Sequence, residues 1–370
     1  MTRTSDRANC AHSIGFLISL LPGGLIPLSR WLGQTTGLAD PFAWLPLLVI
    51  FGIVPIIDRI VGIDPVTPEV GPAQLRNAHW YRAILLASLP IQLTALAFGA
   101  WVFATGGLNW FGALGWVVSC GLVSGIIAIN VAHELIHKGT RLEQWTGGIL
   151  MSTVCYGTFP IEHVYGHHQD IGTPKDPLSA RFGQHYYAFF ANALRENFIK
   201  AWKLERQHLA SEGRSLWSAH NALLWWYGLT ITFAFALYLR FGFAGLAFFF
   251  LQAFFAVANL EAVNYIEHYG LVRRKTTDGS FERIGSQHSW NANWKFTNLL
   301  LINLQRHADH HLYSRRPYEL LRHMDESPQL PAGYGAMIPL AMIPPLWHRI
   351  IDPRLLAYLR DSGQSLPTKS

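Results

Sequence analysis

The chain has 370 residues; half are hydrophobic, 13% are aromatic and only 14% are charged, where a soluble domain carries about 25% charged residues. With a mean hydropathy of +0.18, this composition excludes an ordinary soluble enzyme and indicates a membrane protein with a substantial part outside the lipid. The formal net charge of +6 would suit nucleic acid, but no basic run is interleaved with aromatics on a polar surface, and an anionic membrane surface accounts for it better.

The N-terminus has no small-residue cleavage site after a clean apolar core, so no cleavable signal peptide is expected. A membrane-crossing helix needs about 20 mainly apolar residues, and runs of that kind predict spans over 14–36, 41–61, 82–106, 110–132, 221–239 and 243–263. The first is interrupted by Pro22, Gly23, Gly24 and Pro27 and should be kinked. The third and fourth, and the fifth and sixth, read as tight hairpins turned at Gly106-Gly107 and at Arg240-Phe241-Gly242. Shorter apolar patches at 145–160 and 336–351 read as interfacial or packed on the membrane domain. Cys10, Cys120 and Cys155 form no CxxC pair and no disulfide framework, which suggests buried or free thiols in a reducing setting. The last few residues read as a frayed tail.

Orientation follows from the basic residues. With the N-terminus in the cytoplasm and six spans, 27 of the 29 Lys and Arg fall in cytoplasmic segments, and only Arg30 and Arg240 lie outside them. The expected architecture is therefore an all-α integral membrane protein. Six transmembrane helices carry a cytoplasmic helical cap built from 133–220 and 264–370, with both termini cytoplasmic.

The unusual chemistry lies in those two segments. Of 17 histidines, nine fall in four short motifs: His133 and His137 in HELIH; His163, His167 and His168 in HVYGHH; His268 in NYIEHYG; and His307, His310 and His311 in HADHH. On a helix, residues at i, i+3 and i+4 share a face, so His133/His137, His163/His167 and His307/His310/His311 should each present their rings together. His133 follows the fourth span and His268 the sixth, so two helix ends bring ligands to one membrane face. Buried without a metal, nine imidazoles would repel when protonated and leave unpaired polar groups when neutral. Nine suit two ions with four or five ligands each, but imidazole binds zinc, iron, copper and nickel alike. Glu134, Glu162, Asp170, Glu267 and Asp309 are candidates for accepting the outer ring N–H of a ligand. Glu134 and Glu267 adjoin a histidine at i±1 and should point roughly 100° away from it. His12, His79, His185, His208, His220, His288, His323 and His348 are scattered and read as surface or loop residues.

HELIH also matches the H-E-x-x-H signature of zinc metalloproteases, but an intramembrane protease would leave the other three motifs idle. A metal transporter would place ligands near the membrane midplane, whereas here they cluster at the span ends and beyond.

On these motifs the chain resembles the membrane-bound alkane 1-monooxygenases (alkane ω-hydroxylases), relatives of the xylene monooxygenases and the integral-membrane fatty acid desaturases. NVAHELIHKG resembles the first histidine box, EHVYGHHQDIGTPKDPLSAR the second with its Thr-Pro-x-Asp-Pro tail, NYIEHYGLVR the His-Tyr-Gly motif and LQRHADHHLYSRRPYELLR the third box. PLLVIFGIVPIIDRIVGIDP and QLPAGYGAMIPLAMIPPLWHRIIDPR resemble the second span and the C-terminal stretch of that family. The His-Tyr-Gly string separates it from the desaturases.

The resemblance implies two non-haem irons held by the nine motif histidines at a cytoplasmic active site in a bacterial inner membrane. The implied reaction puts one atom of O2 into a terminal C–H bond of an alkane and reduces the other to water. Methyl hydroxylation of alkyl-aromatics, or desaturation or hydroxylation of fatty acyl chains, are the alternatives on the same scaffold. With no CxxC pair for a fused rubredoxin and no GxGxxG for a flavin or nicotinamide, electrons should come from a separate rubredoxin and its NAD(P)H-dependent reductase. Arg273, Arg274, Lys275, Arg315 and Arg316 are candidates for docking it. One departure stands out: Val164 and Tyr165 occupy positions where the family usually has Asn and a basic residue.

Overall fold

The apolar runs fold into helices. In the computed structural model, which describes residues 13–65 and 78–364, β pairing among the described residues is limited to three isolated bridges. Cys10, His12 and the C-terminal tail lie outside the described residues. Helix α1 (Ser13–Thr36) opens as a tight 3-10 turn over Phe16–Leu20 before Pro22 enters the first turn of the regular helix, where its missing amide hydrogen is not needed; Pro27 lies inside. The expected second span is not one regular helix. Residues 39–61 form short turns at Ala39–Phe42 and Leu45–Leu47, a wide i→i+5 turn over Leu48–Ile53, and α2 (Val54–Val61). The helix is continuous from Leu45 to Val61 but widened in the middle, with a turn at Ala43–Trp44 separating it from Ala39–Phe42; Pro41, Pro46 and Pro55 each withdraw an amide donor along the stretch. Its outer flank still exposes Leu48, Ile53, Ile56 and Ile60, an apolar strip of the kind a membrane or partner covers.

Helices α3 (Ala78–Thr105) and α4 (Trp110–Ile136) form the expected hairpin. Asn109 caps α4 by accepting the Phe111 and Gly112 N–H groups at 2.9 and 3.0 Å. At 1.5 Å per residue α4 is ~40 Å long, about 10 Å more than the thickness of a hydrocarbon layer. Inside α4, Gly125–Asn130 widens into another i→i+5 turn. The cap begins with α5 (Arg141–Ser152) and α6 (Tyr186–Ser211). Burial of Tyr186, Phe189, Ala193, Asn197, Ala201, Glu205 and Leu209, spaced by threes and fours, gives α6 one inward stripe.

Helix α7 (Ala222–His268) has 47 residues and would be ~70 Å long if straight. It is not straight. Gly242 takes φ 63°, ψ −151°, a conformation open to glycine. Ser152 Oγ donates to the Trp226 carbonyl at 3.2 Å, and Gln252 Nε2 donates to the carbonyl of the adjacent Thr153 at 3.0 Å. Positions 226 and 252 can reach neighbouring residues only if the chain doubles back between them, as the sequence predicts. Helices α8 (His307–Leu312), α9 (Tyr334–Ala341) and α10 (Pro344–Asp361) complete the cap. Tyr334, Met337, Ile338 and Ala341 of α9 bury themselves in one cluster with Ile50, Val54 and Leu122, so this part of the 336–351 patch packs on the membrane helices. Cys120 is buried and Cys155 half-buried, both as free thiols.

The loop after α2 is bolted to the third histidine box. Arg306, fully buried, donates to Asp64 at 2.8 Å, to Asn293 at 3.1 Å and to the Leu321 carbonyl at 2.7 Å. Asp58 accepts the Thr297 N–H at 3.0 Å. Removing one partner of a buried pair strands the other charge. Asp64→Ala is therefore expected to destabilise the fold by about 3–5 kcal/mol, read as a drop in the thermal unfolding midpoint of the detergent-solubilised protein.

Candidate metal centre

Nine imidazoles from four separate elements meet beneath the ends of α4 and α7. They sort into two groups, His133, His137, His163, His168 and His310 in one and His167, His268, His307 and His311 in the other. Within each group the ligating atoms lie within 4.8 Å of one another. The groups are adjacent, with the His168 and His311 ring centroids 4.5 Å apart.

The structure therefore brings every motif histidine to one place but pairs them differently from a simple helix wheel. His133 and His137 share a group, as i, i+4 predicts. In the second box, the i→i+5 turn over His163–His167 rotates the chain so that His163 pairs with His168, their Nε2 atoms 3.1 Å apart, while His167 joins the other group. Such wide turns recur at functional sites. In the third box, His307 and His311 face one group, with Nε2 atoms 2.9 Å apart, and His310 turns to the other, 3.1 Å from His168 Nε2. Boxes two and three thus each serve both groups. Gly166 permits the close packing at box two, because a Cβ there would sit 2.7 Å from Glu162 Oε1 and 2.8 Å from Lys200 Cε.

The donor set fits metal ions. Nε2 of His133, His137 and His167 are buried with no hydrogen-bond partner, and they sit among nitrogens whose lone pairs face each other. Metal–nitrogen bonds of about 2.0–2.1 Å would use these spacings. Burial first, then the neighbouring rings, holds His137, His163, His168, His307, His310 and His311 well below the usual imidazole range, the neutral form that a metal needs. For His167 burial acts in the same direction, but the Asp176 carboxylate overrides it and raises the net value.

Asp176, of the Thr-Pro-x-Asp-Pro tail, was not among the expected acids. Its carboxylate lies 2.9 Å from His167 Nδ1 and accepts from Ser179 Oγ at 2.6 Å, both partners of the His167 contact being fully buried. Although burial pushes the carboxyl up, His167 and Ser179 pull it down to about 2. Asp176 therefore orients His167 so that Nε2 faces the group. His288, expected as a scattered loop histidine, is also part of the surround. It is buried, and its backbone carbonyl accepts from His268 Nδ1 at 3.3 Å. The signal was only the proximity of these residues to the motifs in sequence.

Of the five expected acids, only Glu267 comes within hydrogen-bond distance of one of the nine rings. Its Oε2 is 3.2 Å from His307 Nε2, and its other oxygen accepts from Tyr334 at 2.8 Å. The sequence reading turned Glu267 away from His268; it is turned instead onto a histidine of the third box, which a helix wheel for α7 alone cannot show. The other four are used elsewhere. Glu134 pairs with Lys138 and accepts the Tyr318 N–H at 3.0 Å. Glu162 and Asp170 each hold Lys200 at 3.1 Å, and Asp309 is gripped by Arg316 and Arg322. A further buried acid, Glu261, accepts from Tyr156 at 2.5 Å and Asn264 at 3.2 Å. The Val164–Tyr165 departure leaves the donor set untouched: Tyr165 is exposed, and half-buried Val164 packs on the α4–α5 cluster.

A narrow apolar cleft leads to the centre between α4 and the second limb of α7. Leu122, Ile126, Ile129, Leu260 and Val263 line it beside Asn130, Asn259 and Asn264, and His133 and Glu267 form part of its wall. The cleft forms where α4 widens at Gly125–Asn130.

Residues 108–341 match the fatty acid desaturase family. The chain is 46% identical to alkane 1-monooxygenase 2 of Alcanivorax borkumensis over 336 residues, 90% of this chain and 88% of that one. It is 47% identical to alkane 1-monooxygenase 1 of Pseudomonas aeruginosa over 338 residues, again 90% and 88%. A more distant relative, the hydroxylase component of xylene/toluene monooxygenase from Pseudomonas putida, is 29% identical over 238 residues, 64% of this chain and 63% of the relative.

Replacing His268 by Ala removes one of four donors from its group while leaving the five-donor group complete. Metal analysis of the purified variant is expected to show bound metal reduced by about half. Asp176→Asn keeps the shape but weakens the hydrogen bond to His167; a metal-competition titration should show affinity lowered about 10–100-fold.

Proposed function

We propose that this chain, which belongs to the alkane 1-monooxygenase family within the broader fatty acid desaturase family, hydroxylates the terminal methyl group of alkanes, with the nine histidines holding two irons. The observation that carries this reading is the largely apolar cleft with His133 and Glu267 in its wall. An alkane offers no polar handle and partitions into lipid, so its route to the metals has to be apolar and reachable from the membrane. A cleft walled by two membrane-crossing helices meets both conditions. The overall reaction is R–CH3 + O2 + 2 e⁻ + 2 H⁺ → R–CH2OH + H2O. Bound there, the two irons would supply the O2 activation and the oxidising power for the C–H bond.

The chain's own residues supply position and exclusion. Leu122, Ile126, Ile129 and Val263 align an extended hydrocarbon so that its end, not its middle, meets the centre. Asp176 and the His288 carbonyl hold His167 and His268 in the ring orientation a metal requires. Burial of eight of the nine imidazoles, with His168 half-buried, keeps bulk water from the reacting carbon. In this reading 39–61 crosses the membrane as a broken helix, α7 crosses twice, and six spans place the cap and both termini on the cytoplasmic face of a bacterial inner membrane. Electrons come from a separate rubredoxin, itself reduced by an NAD(P)H-dependent reductase.

Whole cells expressing the protein should convert n-alkanes to 1-alkanols, with two irons per chain in the purified enzyme. Cyclohexane and xylene in the same assay separate this from the alkyl-aromatic reading, and zinc with no oxygenated product would refute it. Gly125→Phe places a ring in the cleft. It should cut turnover of the longer alkanes at least about tenfold relative to the shortest accepted one, measured by product chromatography on a chain-length series.

A further inference from the structure

The cleft between α4 and α7 contains side chains that a hydrocarbon cannot use. Among the leucines, isoleucines and valine of its wall stand three asparagines, Asn130, Asn259 and Asn264. Two of them are committed to their own helix: Asn259 Nδ2 donates to the Phe255 carbonyl at 2.7 Å, and Asn264 Nδ2 donates to Glu261 Oε2 at 3.2 Å. Asn130 differs. It is only 6% exposed, and its carboxamide oxygen and nitrogen are both buried with no hydrogen-bond partner among the described residues, whereas Asn259 lacks a partner only for its oxygen. Native structures pair nearly all such groups, because an amide taken out of water without a partner costs free energy.

The position of this amide says what would complete it. Asn130 closes the wide turn of α4, three residues before His133. With His133 and Leu304 it lines both the cleft and a second, smaller cavity. That cavity measures about 10 Å³, room for one oxygen-sized group. Its other walls are Glu134, Ile302, His310 and Leu321. None of these side chains serves the amide. Ile302 and Leu321 are apolar, Glu134 is held by Lys138 and the Tyr318 N–H, and His310 belongs to the five-donor group. The amide thus sits where an apolar cleft meets a cavity for one oxygen, beside a histidine of the metal centre. A ligand that fits this junction has an alkyl chain and a terminal oxygen that both donates and accepts. A hydroxyl does so, its O–H donating to Asn130 Oδ1 and its oxygen accepting from Nδ2. A methyl group does neither, and a halide cannot donate.

We propose that Asn130 and the small cavity form a binding site for the hydroxyl of a primary alkanol, with the alkyl chain lying in the apolar cleft. The proposal rests on the hydroxylase reading above, in which such an alcohol forms at this place. The amide is unpaired with an alkane in the cleft and paired once the hydroxyl is there. The site therefore holds product through a bond that substrate cannot make, and a 1-alkanol competes with the alkane for the cleft.

The test is equilibrium binding to the purified, metal-loaded protein in detergent, without reductant, so that nothing is turned over. 1-Octanol is titrated calorimetrically beside 1-chlorooctane, which has a similar shape and no donor. Comparing the ratio of the two affinities between variants cancels the partition of each ligand into detergent. Asn130→Leu keeps the side-chain size and should lower the preference for the alcohol about tenfold, and Asn259→Leu should lower it less than about twofold. Asn130→Ser, which returns a hydroxyl, should give an intermediate ratio and stands in for the leucine variant if that one loses its metal. In membranes of expressing cells, 1-octanol should inhibit n-octane hydroxylation competitively. An unchanged ratio in both Asn130 variants overturns the proposal, since the alcohol is then held by the metals or its place is taken by a resident water. An equal fall in Asn259→Leu also overturns it, by placing the hydroxyl away from the centre, as does a noncompetitive pattern, by placing the alcohol outside the cleft. Octanol formed from n-octane with an unchanged ratio removes this site and leaves the hydroxylase reading standing. No octanol formed at all removes that reading and with it the premise of this proposal.

Discussion

The structure depends on gathering nine imidazoles at one point, eight of them buried and His168 half-buried. Burial favours their neutral form, and neutral rings whose ring nitrogens face each other at about 3 Å lack enough protons to bond them all. Metal ions would satisfy those lone pairs at once, and binding them would favour the folded arrangement that gathers the rings. The ends of α4 and α7 supply His133, His137 and His268; two loop-rich segments fold beneath them and supply the other six. The Asp64–Arg306 pair carries the constraint further, tying the loop after α2 to the residue before His307.

Departures from regular helix shape the centre. The wide turn at Gly125–Asn130 opens the apolar cleft in α4, and that at His163–His167 deals the second box between the two groups. Two openings differ in character. The cleft between α4 and α7 is largely apolar and flanked by membrane helices, whereas a cleft beside α6 is rimmed by lysine and arginine.

Much of this was legible in the sequence, for reasons that can be named. The HELIH, HVYGHH and HADHH spacings are local and mark ligands whatever the partners, and long apolar runs mark membrane helices through solvation alone. The hairpin at Gly242 was legible because a 47-residue apolar helix exceeds any bilayer. The span expected over 41–61 is helical from Leu45 to Val61, with a wide turn over Leu48–Ile53 that hydrophobicity alone does not reveal. Asp176 and Glu267 were harder still. Asp176 sits nine residues from His167 and reaches it only through the turn at Gly172. Glu267 is aimed by its contact with His307, forty residues on, and not by its place on α7.

By itself the sequence indicated the kind of chemistry, the histidines that gather and the membrane character of the chain, because those follow from residue type and short-range spacing. Only the tertiary structure decided which histidines share a group, which acid faces them and where the two clefts open. Each of these depends on how a wide turn or a long-range contact rotates a side chain, and a rotation by one residue sends an imidazole to the other group.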